Sequence, residues 1–325
     1  MSVHNNLDDH QISKICHMFY KQELSKVEIA DKMHISRFKV SRLLDKAKKE
    51  GIIKIEIITP SHTSEELFDL EEKLEEKLDL KAIMIVTGSR DNDDINARQL
   101  GEKTSSFLLE TITSNEVLGI SWGTTVSEVI KAIPKNTGIS DIKIVQLTGG
   151  LGQLNTIDGM KMIHMTGEKF NTEVSMFMVP VFVNTKEMKN ILLADPDIQE
   201  TTQLFNTISI ALVGIGSWFP DIKTNLHKAG RFSDADVELL LKKGVVGDVF
   251  NHLVDIHGNI LDGTLEDRLM TIDIEKVMKI PYVIGVAGGI SKAHAIIGSV
   301  RSGCIDALIT DQYTAYKMLE ILDTL

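Results

Sequence analysis

Three glycine-bearing segments hold the residues whose types and spacing could do chemistry. They are GISWGTTVSEVI, with Gly123, Thr124 and Thr125; IVQLTGGLGQLN, with Gly149, Gly150 and Gly152; and YVIGVAGGISKAHAIIGSV, with Gly288, Gly289, Ser291 and Lys292. Each follows an apolar run that reads as a strand, the place where loop amides and helix starts converge on a ligand. Glycines let backbone approach an anion, hydroxyls add donors, and Lys292 on a first helical turn adds charge. One such loop is ordinarily just a turn; three in one region point to a phosphorylated ligand. No G-x-x-x-x-G-K-[ST] occurs. Nor does a G-x-G-x-x-G at the first strand with an acidic residue about 20 positions on, which disfavours a dinucleotide. A small sugar or polyol phosphate suits the set better. Its hydroxyls need acceptors, and Asp248 in VVGDVF, Asp262, and Asp311 in LITDQYTA are placed to supply them. Asp248 and Asp311 each have a helix-capping alternative.

A second constellation is basic. Leu24–Gly51, LSKVEIADKMHISRFKVSRLLDKAKKEG, reads as two short helices joined by a tight turn. Ser25 and Glu28 have capping-box spacing, and Ser36 is placed to cap the next helix. Ile29, Ala30 and Met33, then Val40, Leu43, Leu44 and Ala47, repeat as buried stripes. Ser36–Glu50 carries six basic side chains against two acidic ones. Ser36, Arg37, Phe38, Lys39, Ser41 and Arg42 fall where a helix entering a major groove meets base edges and phosphates. The alternative is a solvated amphipathic hairpin. It accounts for Lys46, Lys48 and Lys49, which favour a helix C-terminus, but not for cations at the opposite end. Ile12, Ile15 and Phe19 supply a supporting helix, and IIKIEII at Ile52–Ile58 reads as a strand that would make a wing.

Other chemically tempting residues resolve into simpler readings. Met160, Met162, His164 and Met165 form a helix face without the cysteine partners of a soft-metal site. His257 sits in a turn before Gly258. Trp122 and Trp218 stack on a sugar, close the pocket mouth or fill core, and Arg268 faces either a phosphate or its neighbours Glu266 and Asp267. Asp248, Asp311 and His294 are acid–base types, but no spacing singles out a catalytic pair. No catalytic residue, metal or cofactor is therefore expected.

The elements that must position these residues follow from composition. A chain of 325 residues, 43% hydrophobic, implies two packed domains. Residues 1–60 hold 11 Lys+Arg against 8 Asp+Glu, a balance of +3, and the remainder is at −14. A basic head on an acidic body can hold DNA through one face only. No signal-peptide pattern or long apolar run appears, and Cys16 and Cys304 lack metal spacing, so a cytoplasmic protein without membrane contact is expected. EELFDLEEKLEEKLDL puts Leu67, Leu70, Leu74 and Leu78 on one seam, either for dimerisation or for packing within its own domain. Beyond it, strands are expected at Ala82–Val86, Val117–Ser121, Ile142–Leu147, Ile210–Val213, Tyr282–Val286 and Ala307–Ile309, with helices at Thr124–Ala132 and Ser291–Arg301. This alternation predicts a doubly wound, largely parallel sheet.

Read in order, ISRFKVSRLLDKAKKEGIIKIEI, LGISWGTTV, VQLTGGLG, LVGIGSW, GVVGDVFNHLVDIHGNIL, VAGGISKAHAIIGSVRSG and IDALITDQYTA resemble the SorC-type sugar-binding transcriptional regulators, with their DeoR-like effector domain. The resemblance spans almost the whole chain. It implies a helix-turn-helix DNA-binding domain over 1–58, a linker helix over 59–80, and an effector-binding and oligomerisation domain over 81–325. That last domain would be Rossmann-like α/β, similar to sugar-phosphate isomerases and deaminases. It also implies a homotetramer whose operator binding responds to a phosphorylated sugar or polyol. The effector pocket carried over by motif comprises Gly123, Thr124, Thr125, Gly149, Gly150, Asp248, Gly288, Gly289, Lys292 and Asp311, with the phosphate expected at the helix start at Lys292 and Thr124 and Thr125 competing for it. Thr148 stands in the QLTGG loop without an amine, so effector binding there is expected to be non-covalent. The alternative function is a sugar-phosphate isomerase or deaminase with an accessory N-terminal domain, since one fold hosts both jobs.

Overall fold

A computed structural model describes residues 3–54, 65–90, 92–151, 159–228, 232–261 and 266–325. The chain divides into two compact units, 1–60 and 61–325. In the first, α1 (Val3–Tyr20), α2 (Lys26–Met33) and α3 (Arg37–Lys49) surround a small core. Ser25 starts α2 with a reciprocal capping box: its backbone N–H donates to Glu28 at 2.8 Å and its hydroxyl accepts from the Glu28 amide. His34, at φ 50, ends α2 in the left-handed region, and the Ser36 hydroxyl then accepts the Lys39 amide to start α3. Those two signals fix the turn. Ile12, Ile15, Ile29, Val40, Leu44 and Ala47 are buried together, with Phe19, Met33 and Leu43 packed at the margin. This is a three-helix helix-turn-helix unit. Residues 52–54 form no strand, and the rest of the expected wing, 55–58, lies outside the described residues.

The second unit is α/β. Its strands are β1 (Ala82–Val86), β2 (Val117–Ile120), β3 (Lys143–Gln146), β4 (Val174–Ser175), β5 (Ile210–Ser217), β6 (Val245–Val249), β7 (His252–Asp255), β8 (Tyr282–Val286) and β9 (Ala307–Asp311). Seven of them pair in the order β1-β9-β8-β5-β2-β3-β4, and every pairing along that path is parallel. Alternating side chains feed two cores. Ile83 and Ile85 join the cluster on one face, and Met84 and Val86 join that on the other. Strand order reverses between β2 and β5, so the loops leaving their carboxyl ends diverge and open a crevice.

The far end of β5 also pairs antiparallel with β6, which continues into β7 through a two-residue turn at Phe250 and Asn251. This hairpin stands beside the crevice and walls it. Three further helices matter here: α4 (Glu65–Leu78), α5 (Asp93–Thr111) and α6 (Thr124–Ala132). The α4 seam settles inward. Leu67, Leu70, Leu74 and Leu78 are all buried in the core of the second unit. From the same helix, Glu75 and Glu71 accept the amides of Ile83 and Ile85 at 2.8 and 2.7 Å, so α4 covers the free side of edge strand β1.

Candidate functional site

A cavity of about 460 Å³ occupies the crevice. Its floor is the glycine-rich end of β5, Gly214 to Gly216. Gly216 faces Asp248 across the β5–β6 pair, and a side chain there would overlap the Asp248 carboxylate and the Thr224 hydroxyl. Glycine is what allows the carboxylate to sit over the strand.

The loop after β2 supplies one wall. Ser121, Trp122 and Gly123 are buried, while Thr124 and Thr125 open toward the cavity at the start of α6. Side chains cap α2, α3 and α5, but Gly123 gives α6 no side-chain cap. The first-turn amides of α6 therefore meet the cavity without a side-chain acceptor, which suits an anion. Trp122 also lines the cavity. It is buried, and its indole N–H donates to the Gly149 carbonyl at 2.8 Å.

Asp248 forms the opposite wall. It lies within β6, not at a helix start, and accepts the Trp218 indole N–H at 2.8 Å and a bond from the Thr224 hydroxyl. Burial pushes its carboxyl above the ordinary range, against the lowering pull of those bonds and of Lys292. Trp218 is wholly buried and serves Asp248 from the core, which excludes it as a stacking surface.

Lys292 lines the cavity at the end of a short 3₁₀ turn leading into helix Ala293–Arg301, and its ammonium donates to the Ile215 carbonyl at 2.9 Å. Gly288 and Gly289 complete this side. The Gly289 amide is already engaged, donating to Asp311 Oδ2 and to the Thr314 hydroxyl.

Three expected residues lie outside this cavity, though Asp311 lines an adjoining one that shares Asp93, Asn96, Lys223, Gly289 and Ser291 with it. Gly149 and Gly150 do not line the cavity. Gly149 instead passes so close to the Val179 and Pro180 carbonyls that a Cβ could not fit, and Gly150 bridges to Pro180. Asp311 is buried and caps helix Gln312–Leu322, its carboxylate taken up by Thr314 and Gly289. Its task is to hold the Gly289 loop in place. Arg268 donates to the Val183 carbonyl, and His257 lies in the Asp255–Asn259 turn. Met160, Met162, His164 and Met165 share helix Gly159–Phe170, and no potential metal cluster occurs among the described residues. Asp262 lies outside the described residues.

The cavity also recruits residues that the sequence does not single out: Asp93, Asp94 and Asn96 from the start of α5, Lys223, Thr224 and Asn225 after β5, and Phe250 and Asn251 from the hairpin turn. The Phe250-Asn251 step lacks the Asn-Gly or Asp-Gly chemistry that signals a two-residue hairpin, so the sequence does not mark this turn.

In the first unit, Arg37, Phe38, Lys39 and Arg42 are exposed along α3, and Ser41 is half-buried. Phe38 is 73% exposed with the Arg37 guanidinium 5.1 Å over its ring, an aromatic–cation pair presented to solvent.

The fold and these two surfaces define a two-unit protein of helix-turn-helix and α/β ligand-binding type. Residues 62–320 match the Sugar-bind model of the sugar-binding domain, and the chain belongs to that family. It is 29% identical over 308 residues to the deoxyribonucleoside regulator of Bacillus subtilis, covering 94% of this chain and 96% of that one. It is 23% identical over 320 residues to the sorbitol operon regulator of Klebsiella pneumoniae, covering 98% and 100%. The crystal structure of full-length SorC from Klebsiella pneumoniae superposes with a TM-score of 0.73 at 23% identity, over 95% of this chain and 97% of that one. These relatives carry the names of regulators, not of enzymes.

Proposed function

We propose that this chain is a cytoplasmic, DNA-binding transcriptional regulator of a carbohydrate-utilisation operon. A phosphorylated sugar or polyol, bound non-covalently in the second unit, controls it. The observation that carries the reading is the pairing, in one cavity, of an uncapped helix start at Gly123–Thr125 with a buried carboxylate at Asp248. The first suits a phosphate and the second a hydroxyl. Lys292 and Lys223 add positive charge at the same cavity. Arg37, Lys39, Ser41 and Arg42, with Phe38, form the face that meets operator DNA, and Ser36 sets the start of that helix. The names of the relatives favour this reading over an isomerase or deaminase.

Control works through linkage. An effector that binds one arrangement of the DNA-binding units better shifts the population toward it, and a coupling of about 1–3 kcal/mol changes operator affinity about 5- to 150-fold. The working form is a homo-oligomer, a tetramer in keeping with the SorC-type resemblance. The test is binding of the purified protein to its own upstream DNA, with and without a panel of sugar phosphates. A specific complex altered by one compound is the expected result. Turnover of those compounds without specific DNA binding would overturn the proposal in favour of the enzyme.

A further inference from the structure

Asn251 is 7% exposed and lines the cavity, yet its Nδ2 is a buried donor without a hydrogen-bond partner. Buried amides are almost always paired, and one without an acceptor destabilises the chain until something supplies it. The turn that carries Asn251 is held firmly. Phe250 and Asn251 adopt φ 51 and 68, closed by the Val249–His252 pair. The Phe250 carbonyl accepts the Thr271 hydroxyl at 2.8 Å, and the His252 ring bonds the Ile272 carbonyl at 2.9 Å. Left-handed geometry at a residue as bulky as phenylalanine is uncommon and persists where neighbours over-determine it. The amide is thus presented on a rigid wall, three residues from the Asp248 carboxylate on the same hairpin.

We infer that Asn251 is a specificity-determining residue of the effector site, its Nδ2 donating to an uncharged oxygen of the sugar while Asp248 accepts from a hydroxyl. This rests on the reading of the cavity as a sugar-phosphate site and deepens it. The two side chains together demand a donor and an acceptor on the effector, as a sugar offers with a hydroxyl and a carbonyl or ring oxygen. A bare anion satisfies only the α6 end.

An ordinary turn preference would also place asparagine at positive φ, and Asn251→Gly separates the two roles. Glycine adopts the same backbone and removes only the amide. Isothermal titration of the full chain is made with a panel of pentose, hexose and polyol monophosphates and with inorganic phosphate. Asn251→Gly is expected to weaken the best sugar phosphate about 10-fold, with a ligand-free melting temperature no lower than wild type and unchanged affinity for inorganic phosphate. Asn251→Asp, which replaces the donor with an acceptor, is expected to weaken it further. Sugar-phosphate affinity within about twofold of wild type in the glycine variant would overturn the inference while leaving the site reading intact. Failure of the wild-type chain to bind any sugar phosphate would overturn both.

Discussion

Trp218 Nε1 donates to Asp248 Oδ1 at 2.8 Å, from a wholly buried indole to a buried carboxylate. The bond aims one carboxylate oxygen and fixes the strand end that carries it. With the Thr224 hydroxyl on the same group, Asp248 is oriented before any ligand arrives.

Replacing Asp248 by Asn keeps an acceptor for Trp218 and removes the charge. The variant should lose sugar-phosphate affinity about 10- to 100-fold. Its stability should move the other way. Burial raises the Asp248 pKa, so the folded chain binds this proton more tightly than the unfolded chain does. Stability from this group is whole below the unfolded value of about 3.9 and is lost as pH rises through the higher folded value. Thermal unfolding across that window should show the variant gaining on wild type as pH rises. Parallel profiles would mean that the carboxyl titrates as in water.

Thr124 and Thr125 test the anion end. The double alanine variant should weaken a sugar monophosphate about 10-fold while leaving any binding of the dephosphorylated sugar unchanged. Equal losses for both compounds would assign these hydroxyls to the sugar instead.

On α3, Arg37→Ala and Arg42→Ala should each weaken DNA binding and lower the dependence of log affinity on log salt by about one phosphate contact where the guanidinium meets backbone. Effector titration of the same variants should match wild type. Loss of both activities in Arg37→Ala would show that the two units do not act as separate binding modules.

Leu74 sits wholly buried in the α4 seam. Leu74→Ala should destabilise the second unit by about 2–5 kcal/mol, read by denaturant unfolding with fluorescence of Trp122 and Trp218, both of which lie in that unit. A variant of unchanged stability but altered oligomeric state would move the seam from the core to an interface.

What the sequence disclosed depends on how locally each feature is encoded. Ser25, Glu28 and Ser36 cap helices within three residues of themselves, and so the helix-turn-helix reads directly. The Thr124–Ala132 helix and the Ala82–Val86 and Tyr282–Val286 strands are equally local, each an amphipathic or apolar run with glycine, proline or a polar residue within two positions of either end. The cavity is different. Asn96, Lys223 and Asn251 come from three separate stretches, and only the strand order brings them to Gly123. Gly149 misled because a glycine required for close backbone approach looks, in sequence, like one required for an anion. Asp311 has the residue type of a sugar acceptor and the position of a cap, and the cap won because Thr314 and Gly289 both donate to it.

The two glutamates of α4 have a consequence for how copies of this protein coexist. A sheet edge ordinarily offers unpaired amides to any extended segment that drifts by, and such templating seeds fibres. Here the outward amides of Ile83 and Ile85 are occupied by Glu75 and Glu71 respectively, and the opposite edge is a strand of only two residues. The protein ends its sheet in carboxylates at one side and in brevity at the other. Glu71→Ala with Glu75→Ala should therefore make the chain scatter light and bind amyloid dyes as its concentration rises.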